Sequence, residues 1–267
     1  MTNEEIFAYY SGEAIITEPL SEIKSGKEAT VWLCKGGPKA LELAGRHCEV
    51  AVKIYKDIEQ RSFRNMDTYL EGRIGRTIRK RRDILHLYAS HAAMQSTWVD
   101  AEWCALKTLS EEGIMAPFPL SRTSESIGME FIACGENPYE AAPRLREALL
   151  DEEGAKTACH NLLSTIWNML GCDMIHGDLS PYNVLVRDGK PVLIDFPQIV
   201  DARYHSSAFE LLQRDIGNIM AFFEKRGLRL PESAGAMTTR LWKLYETNAL
   251  YRGDYWREYE IKAAATA

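Results

Sequence analysis

The stretch Met174–Phe196, MIHGDLSPYNVLVRDGKPVLIDF, holds two apolar runs of strand length, Val184-Leu185-Val186 and Val192-Leu193-Ile194. Asp188-Gly189-Lys190-Pro191 lies between them, at the tip of a turn. An Asp-Gly pair between short β-branched runs marks a β-hairpin, because both residues accept the left-handed backbone of a tight turn. Polar side chains gather only where the hairpin begins and ends: Asp178 and Asn183 before the first strand, Asp195 after the second. Pairing of the strands therefore makes neighbours of Asn183 and Asp195, which stand twelve positions apart.

One amide and one carboxylate at the base of a hairpin form a small hard-oxygen site. Mg²⁺ suits such a site when substrate phosphates and water complete its octahedron. Asp178, five residues before Asn183, then stands to take the proton from an attacking hydroxyl. The order D-x-x-x-x-N, hairpin, second Asp is that of the kinase catalytic loop and metal-binding Asp. Taken alone, an Asp-x4-Asn also reads as a structural hairpin whose acids cap turns.

His176-Gly177-Asp178-Leu179-Ser180-Pro181-Tyr182-Asn183, followed by Ile194-Asp195-Phe196-Pro197-Gln198, resembles the catalytic and metal loops of the RIO family of atypical protein kinases. Upstream, residues 21–55 read as antiparallel strands. Glu22-Ile23-Lys24 leads through Ser25-Gly26-Lys27-Glu28-Ala29 to Thr30-Val31-Trp32-Leu33-Cys34, and Glu49–Tyr55 is a third strand alternating around Lys53. The turn offers backbone N–H groups and the Ser25 hydroxyl to phosphates. It is similar to the S-x-G-K-E-A loop that RIO kinases carry, which makes Ser25 and Lys27 nucleotide contacts by resemblance. V-A-V-K-I is similar to the kinase V-A-I-K pattern, and Lys53 reads either as the phosphate-orienting lysine or as an outward lysine on an edge strand. The insert Pro38–His47 reads as a lengthened turn.

Trp98, Ala101, Ala105 and Leu109 recur at helical spacing, which predicts a helix over 97–112 with Thr97 and Asp100 as its cap and Gly113 as its end. Glu102 is an exposed acid or the carboxylate partner of Lys53, the latter by similarity to the RIO helix W-V-D-A-E-W-C-A-L-K-T-L. Met129-Glu130-Phe131-Ile132 with Ala142-Pro143-Arg144-Leu145 resembles the family's hinge, and on that resemblance the Glu130 carbonyl and the Ile132 amide meet the adenine edge. Further expectations are a short helix around Glu4–Tyr10, two helices within 144–172 with Leu162, Leu163, Ile166, Met169 and Leu170 in the core, and a helix from Phe209 to Lys225. In that last helix Asp215 is expected to hold the catalytic-loop backbone. Leu241-Trp242-Lys243-Leu244-Tyr245 is expected to begin another helix, and the aromatic tail Tyr251–Tyr259 to pack on the C-lobe.

The 267 residues suit one two-lobed unit or two small domains. The expected fold is α+β and protein-kinase-like, with an N-lobe of antiparallel sheet plus helix over 1–129, a hinge over 130–135, and a mainly helical C-lobe with the catalytic hairpin over 136–267. A net charge of −6 argues against a chain that coats nucleic acid as a whole. Arg73, Arg76, Arg79, Lys80, Arg81 and Arg82 nonetheless place six cations in ten positions of the segment 56–95, a solvated face or a surface for RNA or a ribosomal particle. The six cysteines form no C-x-x-C pair and read as buried thiols of a reducing compartment. The N-terminus has acids where a signal peptide carries positive charge, and the cytoplasm is the expected location.

The reading that follows is ATP- and Mg²⁺-dependent phosphoryl transfer, with Mn²⁺ as the alternative metal. Ser25, Lys27, Lys53, Glu102, Glu130 and Ile132 serve ATP, Asn183 and Asp195 hold the metal, and Asp178 accepts the proton. The resemblance to RIO kinases also implies slow self-phosphorylation or ATPase activity and a link to small ribosomal subunits. Two alternatives compete: a phosphotransferase acting on small hydroxylated acceptors, which uses similar H-G-D-x-x-x-x-N motifs, and an ATP-gated module that binds RNA or a ribosome.

Overall fold

The computed structural model describes residues 1–56, 91–135, 137–250 and 262–263, with 91–98 and 262–263 as backbone only. The basic segment Arg73–Arg82 and the tail Tyr251–Tyr259 lie outside the described residues. The described chain divides into an N-terminal unit (1–56, 91–111 and 116–142) and a C-terminal unit (112–115, 143–250 and 262–263). The architecture is α+β and of the protein-kinase type.

The N-terminal unit opens with α1 (Asn3–Gly12), which starts on a capping box between Thr2 and Glu5. Strands β1 (Ile16–Ser25), β2 (Ala29–Gly36) and β3 (Val50–Tyr55) follow, with the helix α2 (Pro38–Ala44) between β2 and β3. The long helix α3 (His91–Glu111) leads to β4 (Pro119–Arg122) and β5 (Ser126–Glu130). A five-stranded antiparallel sheet results, in the order β1-β2-β3-β5-β4. The small pair β6 (Ala133–Cys134) and β7 (Asn137–Ala141) closes the unit.

Side chains alternate across the central strand β3. Val50, Val52 and Ile54 join Ile6, Tyr10, Ile15 and Leu120 in one apolar cluster. Ala51, Lys53 and Tyr55 take the opposite face, and every residue of the strand is buried. Lys53 is therefore no outward lysine on an edge.

Two expectations in this unit are corrected. The helix around Glu102 already includes His91, so Thr97 is interior rather than a cap. The insert at Pro38 is a helix with proline at its start and Gly45 left-handed (φ 66°) past its end.

In the C-terminal unit, α4 (Glu152–Gly171) is capped by Asp151 and buries Leu162, Leu163, Ile166, Met169 and Leu170. It is the one helix within 144–172. Residues 143–148 instead run beside the hairpin, where the Leu145 amide donates to the Val184 carbonyl (2.8 Å) and the Val186 amide to the Pro143 carbonyl (2.8 Å). That pairing overrides the local preference for a helix.

After β8 (Met174–Ile175) come β9 (Val184–Arg187) and β10 (Lys190–Leu193), which form the hairpin in the register Arg187↔Lys190. Its turn is only Asp188 (φ 51°) and Gly189 (φ 76°), a two-residue loop with both residues left-handed. Lys190 and Pro191 belong to the strand. The unit continues with β11 (Val200–Asp201), α5 (Ala208–Glu224), β12 (Leu228–Arg229), α6 (Ala234–Glu246) and β13 (Lys262–Ala263). Leu241 to Tyr245 thus end a helix rather than begin one.

Cys34, Cys48 and Cys159 are buried, whereas Cys104 is exposed and Cys134 and Cys172 are half-buried, so the expectation of buried thiols holds for three of the six. No helix among the described residues is long and apolar enough to cross a membrane.

Candidate active site

In the N-terminal unit the site grows from the face of β3 opposite the apolar cluster. The Lys53 ammonium donates to both carboxylate oxygens of Glu102, at 2.8 and 3.0 Å. Both residues are buried, Glu102 to 2% exposure. A buried ion is tolerated only when paired and further hydrogen-bonded. Tyr55 meets that need: its hydroxyl donates to the same carboxylate, and the Lys53 ammonium lies 5.2 Å from the centre of its ring. Tyr55 follows Lys53 by two, which on a strand puts both on one face. That spacing was the available signal for its part in the site.

The turn between β1 and β2 closes with the Gly26 amide donating to the Ala29 carbonyl (2.9 Å). The Ser25 hydroxyl lies 3.2 Å from the Thr30 hydroxyl and accepts from the Lys56 ammonium (3.0 Å), while Lys27 is exposed at the tip. At the end of β5 the Glu130 carboxylate is buried and accepts from the Arg46 guanidinium (2.6 Å) and the Phe118 amide (3.3 Å). Just beyond it, the Phe131 amide donates to the Glu49 carbonyl and the Ile132 carbonyl accepts from the Ala142 amide. Ser25 and Lys27 therefore sit at one turn and Glu130 and Ile132 at one strand end, while Lys53 and Glu102 form a bonded pair.

In the C-terminal unit the loop Gly177–Leu179 hangs from α5. The Asp215 carboxylate accepts from the amides of Gly177 (2.8 Å) and Leu179 (2.9 Å). Arg214 donates to the Gly177 carbonyl, and the Asn218 amide nitrogen donates to the Leu179 carbonyl at 2.9 Å. Asp215 was expected in this role from the sequence. Asn218, one helical turn further on, was not, although its spacing from Arg214 places it on the same face. Gly177 is left-handed (φ 78°), and a Cβ there would overlap the Gln198 carbonyl oxygen.

Between the two flanks of this loop, Asp178 points out and is the exposed member. Asn183 turns its amide nitrogen toward Asp178, reaching the main-chain carbonyl at 2.9 Å and the carboxylate at 3.3 Å. The base of the hairpin is tied by the Ile194 amide donating to the Asn183 carbonyl (3.0 Å). The His176 Nε2 lies 3.2 Å from the Ile194 carbonyl, and the His176 ring packs 5.1 Å from that of Phe196. Those ties set Asp195 beside Asn183. Asp195 is itself left-handed (φ 69°), an uncommon backbone for a residue with a side chain and a frequent mark of functional loops.

Charge is arranged around Asp178 in opposing directions. Although Asp178 is exposed as a whole residue, its surroundings strip water from the carboxyl and push it above the ordinary carboxylate range; Arg214 pulls it down, Asp195 pushes it up and the Asn183 hydrogen bond pulls it down. Burial pushes the Asp215 carboxyl up to about 7 against its two amide donors and Arg214.

The donor chemistry fits a hard divalent cation. The Asn183 nitrogen is committed to Asp178, so its amide oxygen and the Asp195 carboxylate are the oxygens that could hold such a cation. Among the described residues no group of three or more His, Cys, Asp or Glu side chains is placed to hold a metal.

A sequence model of the RIO domain matches residues 38–234. The chain is 32% identical over 207 residues to "RIO-type serine/threonine-protein kinase Rio1" of Haloferax volcanii, a match covering 77% of this chain and 63% of that protein. It is 33% identical to "Serine/threonine-protein kinase RIO1" of Chaetomium thermophilum, covering 80% of this chain and 41% of the relative. A third relative, "RIO-type serine/threonine-protein kinase Rio1" of Methanocaldococcus jannaschii, is 32% identical, with 83% and 68% covered. The chain thus spans less than two thirds of the first two of these proteins.

Proposed function

The chain belongs to the RIO family, and from that premise we propose that it is an ATP- and Mg²⁺-dependent serine/threonine protein kinase that also turns ATP over slowly as a switch. The observation that carries the reading is the amide of Asn183, whose nitrogen is bonded to Asp178 and whose oxygen is thereby directed elsewhere. One side chain so placed both orients a base and offers a metal ligand.

Each unit supplies one part of the chemistry. Lys53, fixed by Glu102 and Tyr55, orients phosphates, and the Ser25-Gly26-Lys27 turn adds amide and ammonium donors. The backbone of Glu130 and Ile132 meets the adenine edge, with 130–135 as the hinge. Asn183 and Asp195 hold Mg²⁺, with Mn²⁺ as a substitute. When bound, that ion neutralises charge on the transferred phosphoryl group. Asp178 accepts the proton of the incoming hydroxyl, and a carboxyl lifted by burial is the better base for it. Asp215, Arg214 and Asn218 hold the loop so that Asp178 needs little reorganisation. A cytoplasmic location accords with buried thiols such as Cys34 and Cys159, each pushed up to about 12 by burial and so poorly reactive.

The test is phosphate accounting with γ-labelled ATP and Mg²⁺ on wild type, Asp178→Ala and Asp195→Ala, with folding checked by circular dichroism. Label in this chain or an added protein, lost in both variants, is the expected result. Near-native turnover in Asp178→Ala would remove Asp178 from the mechanism. Transfer confined to small hydroxylated molecules would replace the protein-kinase reading with the alternative phosphotransferase.

A further inference from the structure

Three arginines stand around the far end of the loop that carries Asp178. Arg146 lays its guanidinium over the Tyr182 ring, 4.7 Å from the centroid, and Arg226 lies over the Phe222 ring at 3.9 Å. Arg226 also donates to the Arg146 carbonyl (3.0 Å), and Arg144 donates to the Tyr182 carbonyl (2.6 Å). The Arg146 amide donates to the Pro181 carbonyl at 3.3 Å, which binds the segment to the catalytic loop. Arg146, Arg226 and Tyr182 are exposed, and Leu149 on the same segment is fully exposed. None of the three arginines is ion-paired among the described residues, although Glu147 and Glu224 are carried on the same elements.

We propose that this platform docks an acidic polypeptide segment flanking the acceptor hydroxyl. Guanidinium forks match carboxylates in a bidentate way, and stacking on Tyr182 and Phe222 holds two of them in place before a partner arrives. An RNA partner fits less well. Base stacking needs open aromatic faces, and here a guanidinium already covers one face of each ring. Leu149 adds an apolar contact that suits a peptide. The sequence after Gln198 also lacks the A-P-E segment on which ordinary protein kinases lay out a peptide acceptor, so a substitute surface at the end of the loop that carries Asp178 meets a need. The role as an acceptor subsite rests on the protein-kinase reading, whereas the binding itself does not.

Fluorescence anisotropy of a labelled Glu/Ser peptide, with wild type and Arg146→Glu/Arg226→Glu, decides the matter. Wild type should bind, more weakly as salt rises, and the double variant should lose about tenfold or more in affinity. Equal affinity in the two proteins, or no binding by wild type, overturns the proposal. Preference for single-stranded RNA over the acidic peptide also overturns it, in favour of a nucleic-acid surface. With turnover, the double variant should raise KM for an acidic acceptor and leave ATP hydrolysis without acceptor unchanged. If wild type modifies no protein at all, the kinase reading fails while the anisotropy result still judges the docking surface.

Discussion

The Tyr55 hydroxyl and the Lys53 ammonium converge on one carboxylate, that of Glu102, from the same face of the same strand. The lysine is expected to touch phosphate. The tyrosine has the narrower task of satisfying the buried acid. Tyr55→Phe should therefore cost about 1 kcal/mol of stability and less than tenfold in activity. Urea denaturation and steady-state assays measure the two effects.

Lys53→Met should behave differently. It leaves Glu102 buried without its cation, at a cost of about 3 kcal/mol or more, and lowers activity by about a hundredfold or more. Adding Glu102→Gln should recover much of the stability and none of the activity. Recovery of both would reduce Lys53 to a structural ion pair.

The pH profile should report the surroundings of Asp178. A base whose pKa is raised loses activity on acidification at a higher pH than an ordinary carboxylate does. Arg214 pulls that pKa down, so Arg214→Gln should move the acid limb of kcat/KM further up, and Arg214→Lys should move it less. A limb that stays in place in Arg214→Gln would separate Arg214 from the ionisation of Asp178.

Asp215 makes a prediction about stability. Its carboxyl is raised from 3.8 to about 7 in the fold, so across that interval the folded state holds a proton that the unfolded state has released. Stability from this group is greatest below the lower value and falls as pH rises toward the upper one. The destabilisation caused by Asp215→Asn should then be larger near about pH 4 than near about pH 8. Guanidinium titrations at the two pH values test the sign.

Two glycines with similar backbone angles should respond unequally. Gly189→Ala meets open space at the hairpin turn and pays only for its left-handed angle, about 1 kcal/mol. Gly177→Ala adds overlap with the Gln198 carbonyl and must move the loop that bears Asp178. It should abolish most activity and cost well above that figure. Thermal melts of both variants make the comparison.

The hairpin and its three polar residues were legible because the determinants are local: alternating apolar runs and an Asp-Gly turn. The long-range ties were legible only in part. Lys53 and Glu102 were paired through a family resemblance, since 49 positions separate them and neither composition nor period links them. Two helices were expected within 144–172 and one is found, because residues 143–148 pair with the hairpin, a tertiary contact that local propensity does not encode. The helix after Gly37 was overlooked although proline at its start and a left-handed Gly45 at its end were both written in the sequence.

The manner in which the catalytic loop is hung has a wider consequence. Arg214, Asp215 and Asn218 grip it from one side of α5, while Ile216, Ile219, Met220 and Phe223 of the same helix are sunk in the apolar interior. The aim of Asp178 is thus inherited from packing on the opposite side of a helix. A methyl group lost from that interior would surface first as a slower reaction, with the protein still folded. In this chain, drift in the core and drift in turnover are one process.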